Sequence, residues 1–324
     1  LTLSCFMEID GEGTVVDHAI QESVIRSSAR LVYDDVSDIL ENDDARLSKK
    51  YSTIVGDIKL MGELAAILRH RRKQKGSLDF DISEAVITLD EAENPVAVEL
   101  EERRTANRLI EEFMLVANET VAEHFFWLNS PFVYRIHEKP DPEKIMDLKT
   151  YLMNFGIKLK GSADNIYPKT LADIIADIED KPYESVVNRV MLRTMKKARY
   201  STECEGHFGL AFRYYCHFTS PIRRYPDLII HRIIKEYITG RMTEEKLEKY
   251  RSETERAADI SSRTERIAQE LEREVDKMKK AQFMQAHIGE EFEGVVSGVT
   301  DFGVYVELAN TIEGMAFASE LARP

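Results

Sequence analysis

The spacing of the hydrophobic residues changes along this chain, and this change limits the possible folds more than any other feature. Apolar and polar residues alternate over 3–9 and 15–24, on either side of the turn Asp10-Gly-Glu-Gly13, which predicts a β-hairpin. A second strand pair is predicted at 85–89 and 96–100. Apolar residues three and four apart predict helices at 33–40, 51–72, 103–126, 143–153, 169–178 and 184–197. Strands and helices in separate stretches predict an α+β fold.

The pattern changes again in the last third of the chain. Residues 244–284 form a highly charged amphipathic region, which we interpret as two helices. Its apolar stripe is expected to be core, and consists of Ile260, Ile267, Leu271, Val275 and Met278. From about Ile288 the chain becomes β-branched, aromatic and rich in glycine, which predicts a separate β domain.

The net charge is −14, from 44 basic and 58 acidic residues. Taken alone, this charge argues against a nucleic-acid partner, because phosphate binding usually leaves a basic surface. The distribution weakens that argument, since no acidic residue occurs between Ser185 and Thr202. That stretch and the residues after it contain Arg189, Arg193, Lys196, Lys197, Arg199, Arg213, Arg223 and Arg224. An acidic protein can therefore still carry a basic channel.

Several features bear on location. No apolar run reaches the length of a membrane helix, so we expect no membrane association. Cys5, Cys204 and Cys216 lack metal-type spacing, and we interpret them as free thiols of a cytoplasmic protein. The chain begins within a predicted strand without an initiator Met, and we expect upstream sequence to be missing.

The segment His217-Phe-Thr-Ser-Pro-Ile-Arg-Arg-Tyr-Pro-Asp-Leu228 carries the most specific chemistry. Ser220 is placed to cap a helix, and Pro221 to occupy its first position. Arg223 would then lie in the first turn, where free backbone N–H groups and guanidinium groups suit a phosphate. The alternative is an ordinary helix start whose arginines pair with surface carboxylates.

This segment and its neighbours resemble the RNB catalytic domain of the ribonuclease II and ribonuclease R family. The resemblance rests on Met191–Tyr200, Gly206–Ala211 and Tyr215–Leu228, which keep the family's spacing over about forty residues. More distant matches are Arg30–Tyr33, Leu78–Phe80, Ile110–Asn118 and Leu271–Val275. The implied fold is an RNB-type mixed sheet with surrounding helices, followed by a truncated S1/OB-type β segment. We assign 1–285 to a partial RNB domain and 286–324 to the first half of an S1 domain.

The S1 resemblance supplies candidate stacking residues. In an OB barrel, aromatic side chains on the sheet stack on bases, and Phe292, Phe302 and Tyr305 are the candidates here. Alternation alone would equally make each of them a core residue. About three strands fit before Pro324, whereas the barrel needs five, so we expect a truncated domain.

The resemblance implies hydrolysis of RNA from its 3′ end, with release of nucleoside 5′-monophosphates and with Mg²⁺ as cofactor. In this family the metal is held by aspartates upstream of the point where this chain starts, so no metal ligand is expected in this chain. The acidic pairs Asp34-Asp35, Asp43-Asp44 and Asp79-Phe-Asp81 are more typical of solvated surface than of a replacement site.

The remaining site residues are implied position by position. Arg223 matches the arginine that holds the scissile phosphate, with Arg224 assisting. Tyr33, with Glu111 or Glu112, matches positions near the terminal ribose, and Phe80 matches an aromatic that stacks on the last bases. Glu272 matches a further ribose-side position.

The resemblance therefore implies a 3′→5′ exoribonuclease that acts on single-stranded 3′ ends of RNA. We expect a monomer, and we expect this fragment alone to be inactive. The alternative is a non-catalytic RNA-binding protein with an RNB-like body and an S1 domain. A third interpretation, an acidic helical scaffold, leaves the basic stretch from Arg189 to Arg224 unexplained.

Overall fold

The computed structural model describes residues 1–80 and 85–321. These residues form two compact units, one of 1–80 and 103–263 and a second of 85–102 and 264–321. Asp81, of the acidic pair Asp79-Phe-Asp81, lies outside the described residues. No helix of the described part is long and apolar enough to cross a bilayer.

A β-hairpin opens the first unit, as the alternation predicts. Strands β1 (Thr2–Ile9) and β2 (Val15–Ser23) pair in antiparallel fashion, with a bulge at Glu8/Ile9. The turn is closed by Asp10, whose Oδ1 accepts hydrogen bonds from the backbone N–H groups of Glu12 at 2.9 Å and Thr14 at 2.8 Å.

Helices make up most of the rest of this unit, because their apolar faces have the spacing read from the sequence. They are α1 (Tyr33–Asn42), α2 (Ala45–Lys50), α3 (Val55–Lys75), α4 (Thr105–Trp127), α5 (Pro142–Met153), α6 (Pro168–Ile178), α7 (Glu184–Thr194) and α8 (Tyr225–Ile238). Two short strands, Tyr134–Ile136 and Arg199–Ser201, pair between them and are labelled β5 and β6.

The core of the first unit has separate clusters. The largest joins α4, β5 and α8 through Val121, Phe125, Phe132, Ile136, Ile229, Ile230 and Ile233. A second joins α5, α6 and α7 through Ile145, Leu148, Leu171, Ile174, Val187 and Met191. Helix α4 contributes to the largest cluster along its C-terminal half, and Ala106 near its N-terminus packs with α1 and α2 in a third cluster.

The second unit contains the hairpin β3 (Ala85–Leu89) and β4 (Pro95–Leu100) and the antiparallel sheet β7 (Gly294–Thr300), β8 (Gly303–Leu308) and β9 (Glu313–Phe317). Both were predicted from the sequence, and the α+β class is confirmed. The C-terminal part of a long helix, α9 (Glu244–Gln285), contacts them both: Lys279 Nζ donates to the carbonyl of Glu93 at 2.6 Å, and Lys280 Nζ donates to Thr311 Oγ1 at 2.9 Å.

Helix α9 corrects two expectations. It is one helix of 42 residues rather than two, because no glycine or proline interrupts it. At about 1.5 Å per residue it is longer than most single domains are wide, and its buried residues all lie between Tyr250 and Ser262. The stripe expected to be core is therefore exposed, from 40% at Ile260 to 64% at Leu271.

Candidate phosphate and RNA site

The segment from Thr219 to Asp227 does not begin a helix at Pro221, so that prediction was wrong. Residues 221–223 form turns, and α8 begins at Tyr225 with Pro226 in its first turn. The reason is the second proline. A helix starting at Pro221 would need the N–H of Pro226 to reach the carbonyl of Ile222, and proline has no N–H.

Asp227 holds this turn from inside the protein. Its side chain is fully buried, and its Oδ1 accepts hydrogen bonds from the backbone N–H of Ser220 at 2.7 Å and from Arg224 Nη2 at 2.8 Å. The carbonyl of Ser220 in turn accepts from the backbone N–H groups of Arg223 at 3.3 Å and Arg224 at 3.1 Å.

The preceding loop is held by α4 and α8. Asn118 of α4 is 2% exposed, and its Oδ1 accepts from the backbone N–H of Phe218 at 2.9 Å. His231 Nε2 of α8 donates to the carbonyl of Phe218 at 2.8 Å. Buried polar side chains from two helices therefore fix the backbone that leads to Arg223.

The two arginines of the motif differ in their surroundings. Arg224 is 17% exposed and pairs with Asp227. Arg223 is exposed and has no ion-pair or hydrogen-bond partner for its side chain among residues 1–80 and 85–321. The turn therefore presents one free guanidinium and keeps the other as an internal anchor.

The surroundings of the turn are electropositive. Burial lowers the pKa of His217 to about 2, and the charges of Arg224, Arg135 and Arg223 add to that shift. The guanidinium of Arg135 lies 4.6 Å from the ring centre of Tyr200, whose hydroxyl bonds His217 Nδ1 at 2.8 Å. At neutral pH the imidazole is uncharged, and the cations nearby favour an anion in this region.

A second buried network fixes the segment Ser77–Phe80. Arg72 of α3 pairs with Glu112 of α4 (Nη2 to Oε1, 2.6 Å) and donates from Nη1 to Ser77 Oγ at 2.6 Å. The backbone N–H of Leu78 donates to the carbonyl of Gly209 at 2.7 Å. Phe80 follows directly and is partly buried against the second core cluster.

The neighbouring carboxylates distinguish the two glutamates of the motif. Glu112 is 3% exposed and is occupied by Arg72. The side chain of Glu111 is 35% exposed and pairs with Arg103, which also reaches Asp79 at 3.4 Å. Arg69 completes this group at 2.9 Å from Asp79. Asp79 was expected to be solvated surface, but it is a paired and largely covered carboxylate.

Helix α4 supports both parts of the site. Glu112 reaches Ser77–Phe80 through Arg72, and Asn118 reaches the loop before Arg223. Glu112 and Asn118 are six positions apart, or about 9 Å along a helix axis. Leu115 lies between them and packs with Phe212 and Tyr215. A single helix therefore ties the segment of Phe80 to the loop of Arg223.

The other predicted residues are more dispersed. Tyr33 is the first residue of α1 and is 52% exposed. In the second unit Glu272 is exposed on α9, while Phe292 and Phe302 are 49% and 60% exposed. Tyr305 is half-buried on β8, opposite Gly298 of β7. Phe292 and Phe302 therefore present aromatic surface, whereas Tyr305 is partly covered.

Sequence reasoning missed the anchors Arg72, Asn118 and Asp227. Their signal is a polar residue at an apolar position of the helical pattern. Arg72 continues the buried spacing of Ile58, Ala65 and Leu68, and Asp227 precedes Ile230 and Ile234 by three and seven residues.

The part of the chain that the structure describes contains no group of three His, Cys, Asp or Glu side chains able to hold a metal ion. Of the acidic pairs, Asp35 pairs with Lys50 at 2.7 Å and Asp43 with Lys59 at 2.6 Å. The Mg²⁺ that the family resemblance implies therefore has no ligand set among these residues.

Comparison with known proteins agrees with this geometry. The RNB domain model matches residues 1–240, and the S1 RNA binding domain model matches residues 285–324. Because the first match covers well over half of the chain, the chain belongs to the RNB family.

Among individual relatives, ribonuclease R 1 of Lactococcus lactis is 44% identical over 321 residues, which are 99% of this chain and 39% of that protein. The structure of Mycoplasma genitalium RNase R in complex with ribose-methylated single-stranded RNA is similar with a TM-score of 0.91 and 26% identity, over 98% of this chain and 50% of that one. The chain thus spans 39% to 50% of the length of these relatives.

Yeast Ssd1, described as a pseudonuclease, is similar with a TM-score of 0.72 and 21% identity, over 97% of this chain and 38% of that one. At this identity the likeness concerns the fold alone. The fold by itself therefore does not decide between a nuclease and a protein that has lost the activity.

Proposed function

We propose that the full-length protein containing this chain is a 3′→5′ exoribonuclease that hydrolyses single-stranded RNA and releases nucleoside 5′-monophosphates. The observation that carries the proposal is Arg223, an exposed guanidinium without a partner in the described residues, on a turn fixed by buried side chains. Family membership and the relatives' name, ribonuclease R, support it.

In the proposed reaction, water bonds to the phosphorus of the last phosphodiester while the bond to the 3′ oxygen of the preceding nucleotide breaks. That oxygen takes up a proton, and the phosphate stays on the 5′ oxygen of the released nucleotide. Negative charge grows on the phosphoryl oxygens, and the free guanidinium of Arg223 stabilises it through charge-assisted hydrogen bonds. Mg²⁺ would activate the water when bound, through ligands outside the described residues.

The remaining residues fit recognition of the last nucleotides. Phe80 provides an aromatic face at the end of the segment fixed by Arg72, and Tyr33 is an exposed aromatic at the start of α1. We assign Glu111 rather than Glu112 to the ribose side, because Glu112 is occupied by Arg72. Phe292, Phe302 and Tyr305 would contact RNA in the S1 segment, and Glu272 would lie on the ribose side. In this proposal, the partial RNB domain spans 1–285 and the S1 segment spans 286–324.

A non-catalytic RNA-binding protein is the second candidate. It is retained because the described residues contain no cluster of metal ligands. It would use the same cationic turn and aromatic residues for binding alone.

The two candidates are separated by the products formed from RNA. The full-length gene product is incubated with single-stranded RNA labelled at its 5′ end and with uniformly labelled RNA, in the presence of Mg²⁺. The exonuclease predicts progressive shortening from the 3′ end and nucleoside 5′-monophosphates as the soluble product. Internal fragments would contradict the proposal, and binding without degradation would favour the second candidate.

A further inference from the structure

Asp227 is a buried carboxylate for which catalysis has no direct use. It lies in the first turn of α8, where acidic residues usually remain in solvent and interact weakly with the helix dipole. Here the side chain has no exposed surface. Burying a carboxylate costs free energy unless it is paired and hydrogen-bonded, so its position calls for a specific role.

The bonds of Asp227 point back onto the turn that carries Arg223. One oxygen, Oδ1, accepts from the backbone N–H of Ser220 and from Arg224, while Oδ2 is buried without a hydrogen-bond partner. The carbonyl of Ser220 accepts from the N–H of Arg223. A continuous chain of hydrogen bonds thus runs from the carboxylate through Ser220 to the backbone of Arg223.

The ion pair between Asp227 and Arg224 also leaves Arg223 as the arginine with an unpaired side chain among the described residues. Asp227 neutralises Arg224, whose Nε is buried without a partner and whose Nη2 is bound. If Asp227 were neutral, Arg224 would lose its counter-charge, and the Ser220–Arg224 turn would lose its inner support. The backbone of Arg223 would then no longer be fixed, and its free guanidinium would lose its defined position.

We propose that Asp227 is a positioning residue that acts through Arg223: its buried carboxylate sets the Ser220–Arg224 turn and keeps Arg224 as an anchor. This inference rests on the proposed function, in which Arg223 holds the scissile phosphate. Asp227 itself does not touch the substrate.

The test is a double-mutant cycle of Asp227→Asn and Arg223→Ala in the full-length protein, with kcat and KM measured on single-stranded RNA. Asparagine keeps an acceptor for Ser220 but loses the charge. We expect Asp227→Asn to lower kcat about 10- to 100-fold with KM changed less than about threefold, since ordered catalytic geometry affects the transition state more than ground-state binding. In the Arg223→Ala background the same change should cost less than about threefold, because residues that act as a unit are not additive.

A residue needed only for stability would behave differently. Thr254→Val is the matched control, since Thr254 is 1% exposed and bonds only carbonyls of its own helix. It should lower Tm while leaving kcat within about twofold, because its hydroxyl bonds neither Asp227 nor the Ser220–Arg224 turn. Asp227→Glu, which keeps the charge, should show a smaller loss of kcat with the same dependence on Arg223, and replaces Asp227→Asn if that variant does not fold.

Additive losses in the double variant, or equal losses in kcat and affinity, would overturn the inference. If the wild type hydrolyses no RNA, the proposed function fails separately, and the same cycle is measured on the Kd for single-stranded RNA. Coupling in Kd would then retain Asp227 as a positioning residue, and additivity would reject it.

Discussion

The ion pair between Arg72 and Glu112 offers a quantitative test of how the Phe80 segment is held. The two side chains are only 6% and 4% exposed, and Arg72 makes its bonds to Glu112 from Nε and Nη2. Replacing Glu112 with Gln keeps the size of the side chain but leaves the arginine charge buried without a counter-charge. Breaking such a pair costs about 3–5 kcal/mol.

We expect the lower end of that range, about 3 kcal/mol, because the Gln carbonyl can still accept one bond from Arg72. This loss is a large part of the roughly 5–15 kcal/mol by which domains are stable. Urea unfolding followed by far-UV circular dichroism measures it, since the first unit is largely helical.

The adjacent variant Glu111→Gln is the control. Its partner Arg103 and its own side chain are 37% and 35% exposed, so the loss should stay below about 1 kcal/mol. A double replacement, Arg72→Met with Glu112→Leu, should recover much of the stability, because it removes both charges together. The reasoning fails if Glu112→Gln and Glu111→Gln destabilise the protein equally.

Two further predictions concern stability. Burial lowers the pKa of five histidines, to about 3 in His207 and about 2 in His217, and in a direction only for His124, His137 and His231. The unfolded chain binds these protons first, near pH 6.5, so the free energy of unfolding should fall as the pH drops below about 6.5. In urea titrations at several pH values, a His207→Gln/His217→Gln variant should show a pH slope that is smaller by up to about 2.7 kcal/mol per pH unit. An unchanged slope would contradict the assignment of these two histidines. Gly76 has φ of +93°, and an added Cβ would lie 2.5 Å from Lys169 Cα, so Gly76→Ala should lower the free energy of unfolding by more than about 2 kcal/mol. Gly240 has φ of +65° with open space around it, so Gly240→Ala should lower it by only about 1 kcal/mol. Equal losses, measured by urea unfolding, would contradict the role given to the contact with Lys169.

Much of the secondary structure follows from local pattern. The hairpin of β1 and β2, the strands around Glu93 and the helix α4 were all predicted, because alternation, turn residues and helical spacing act within a short stretch of chain. The start of α8 was not, since two prolines compete and the second one determines where the helix begins.

The exposed stripe of α9 shows a second limit of local reasoning. Leu271 and Met278 have the spacing of a core face but are 64% and 56% exposed. Helical spacing predicts which residues share a face, whereas the tertiary fold decides whether that face is covered. A sequence pattern cannot supply the second fact.

In the candidate site, too, a local motif predicts some residues, whereas tertiary contacts determine the others. Arg223 and Phe80 were found through a motif, but their supports came from tertiary contacts. Arg72 meets Glu112 across 40 residues, and Asn118 meets Phe218 across 100. Such pairings depend on how α3, α4 and the loop meet in space, and a single sequence does not specify them.

Kinetics of Arg223→Ala in the full-length protein, compared with Arg224→Ala, test the central claim most directly. If Arg223 stabilises charge on the scissile phosphate, its loss should lower kcat by about 30- to 1,000-fold, corresponding to about 2–4 kcal/mol, with little change in RNA affinity. Arg224→Ala should also lower Tm, because it leaves the buried carboxylate of Asp227 without its counter-charge. Equal losses in kcat and in affinity for Arg223→Ala would contradict the account.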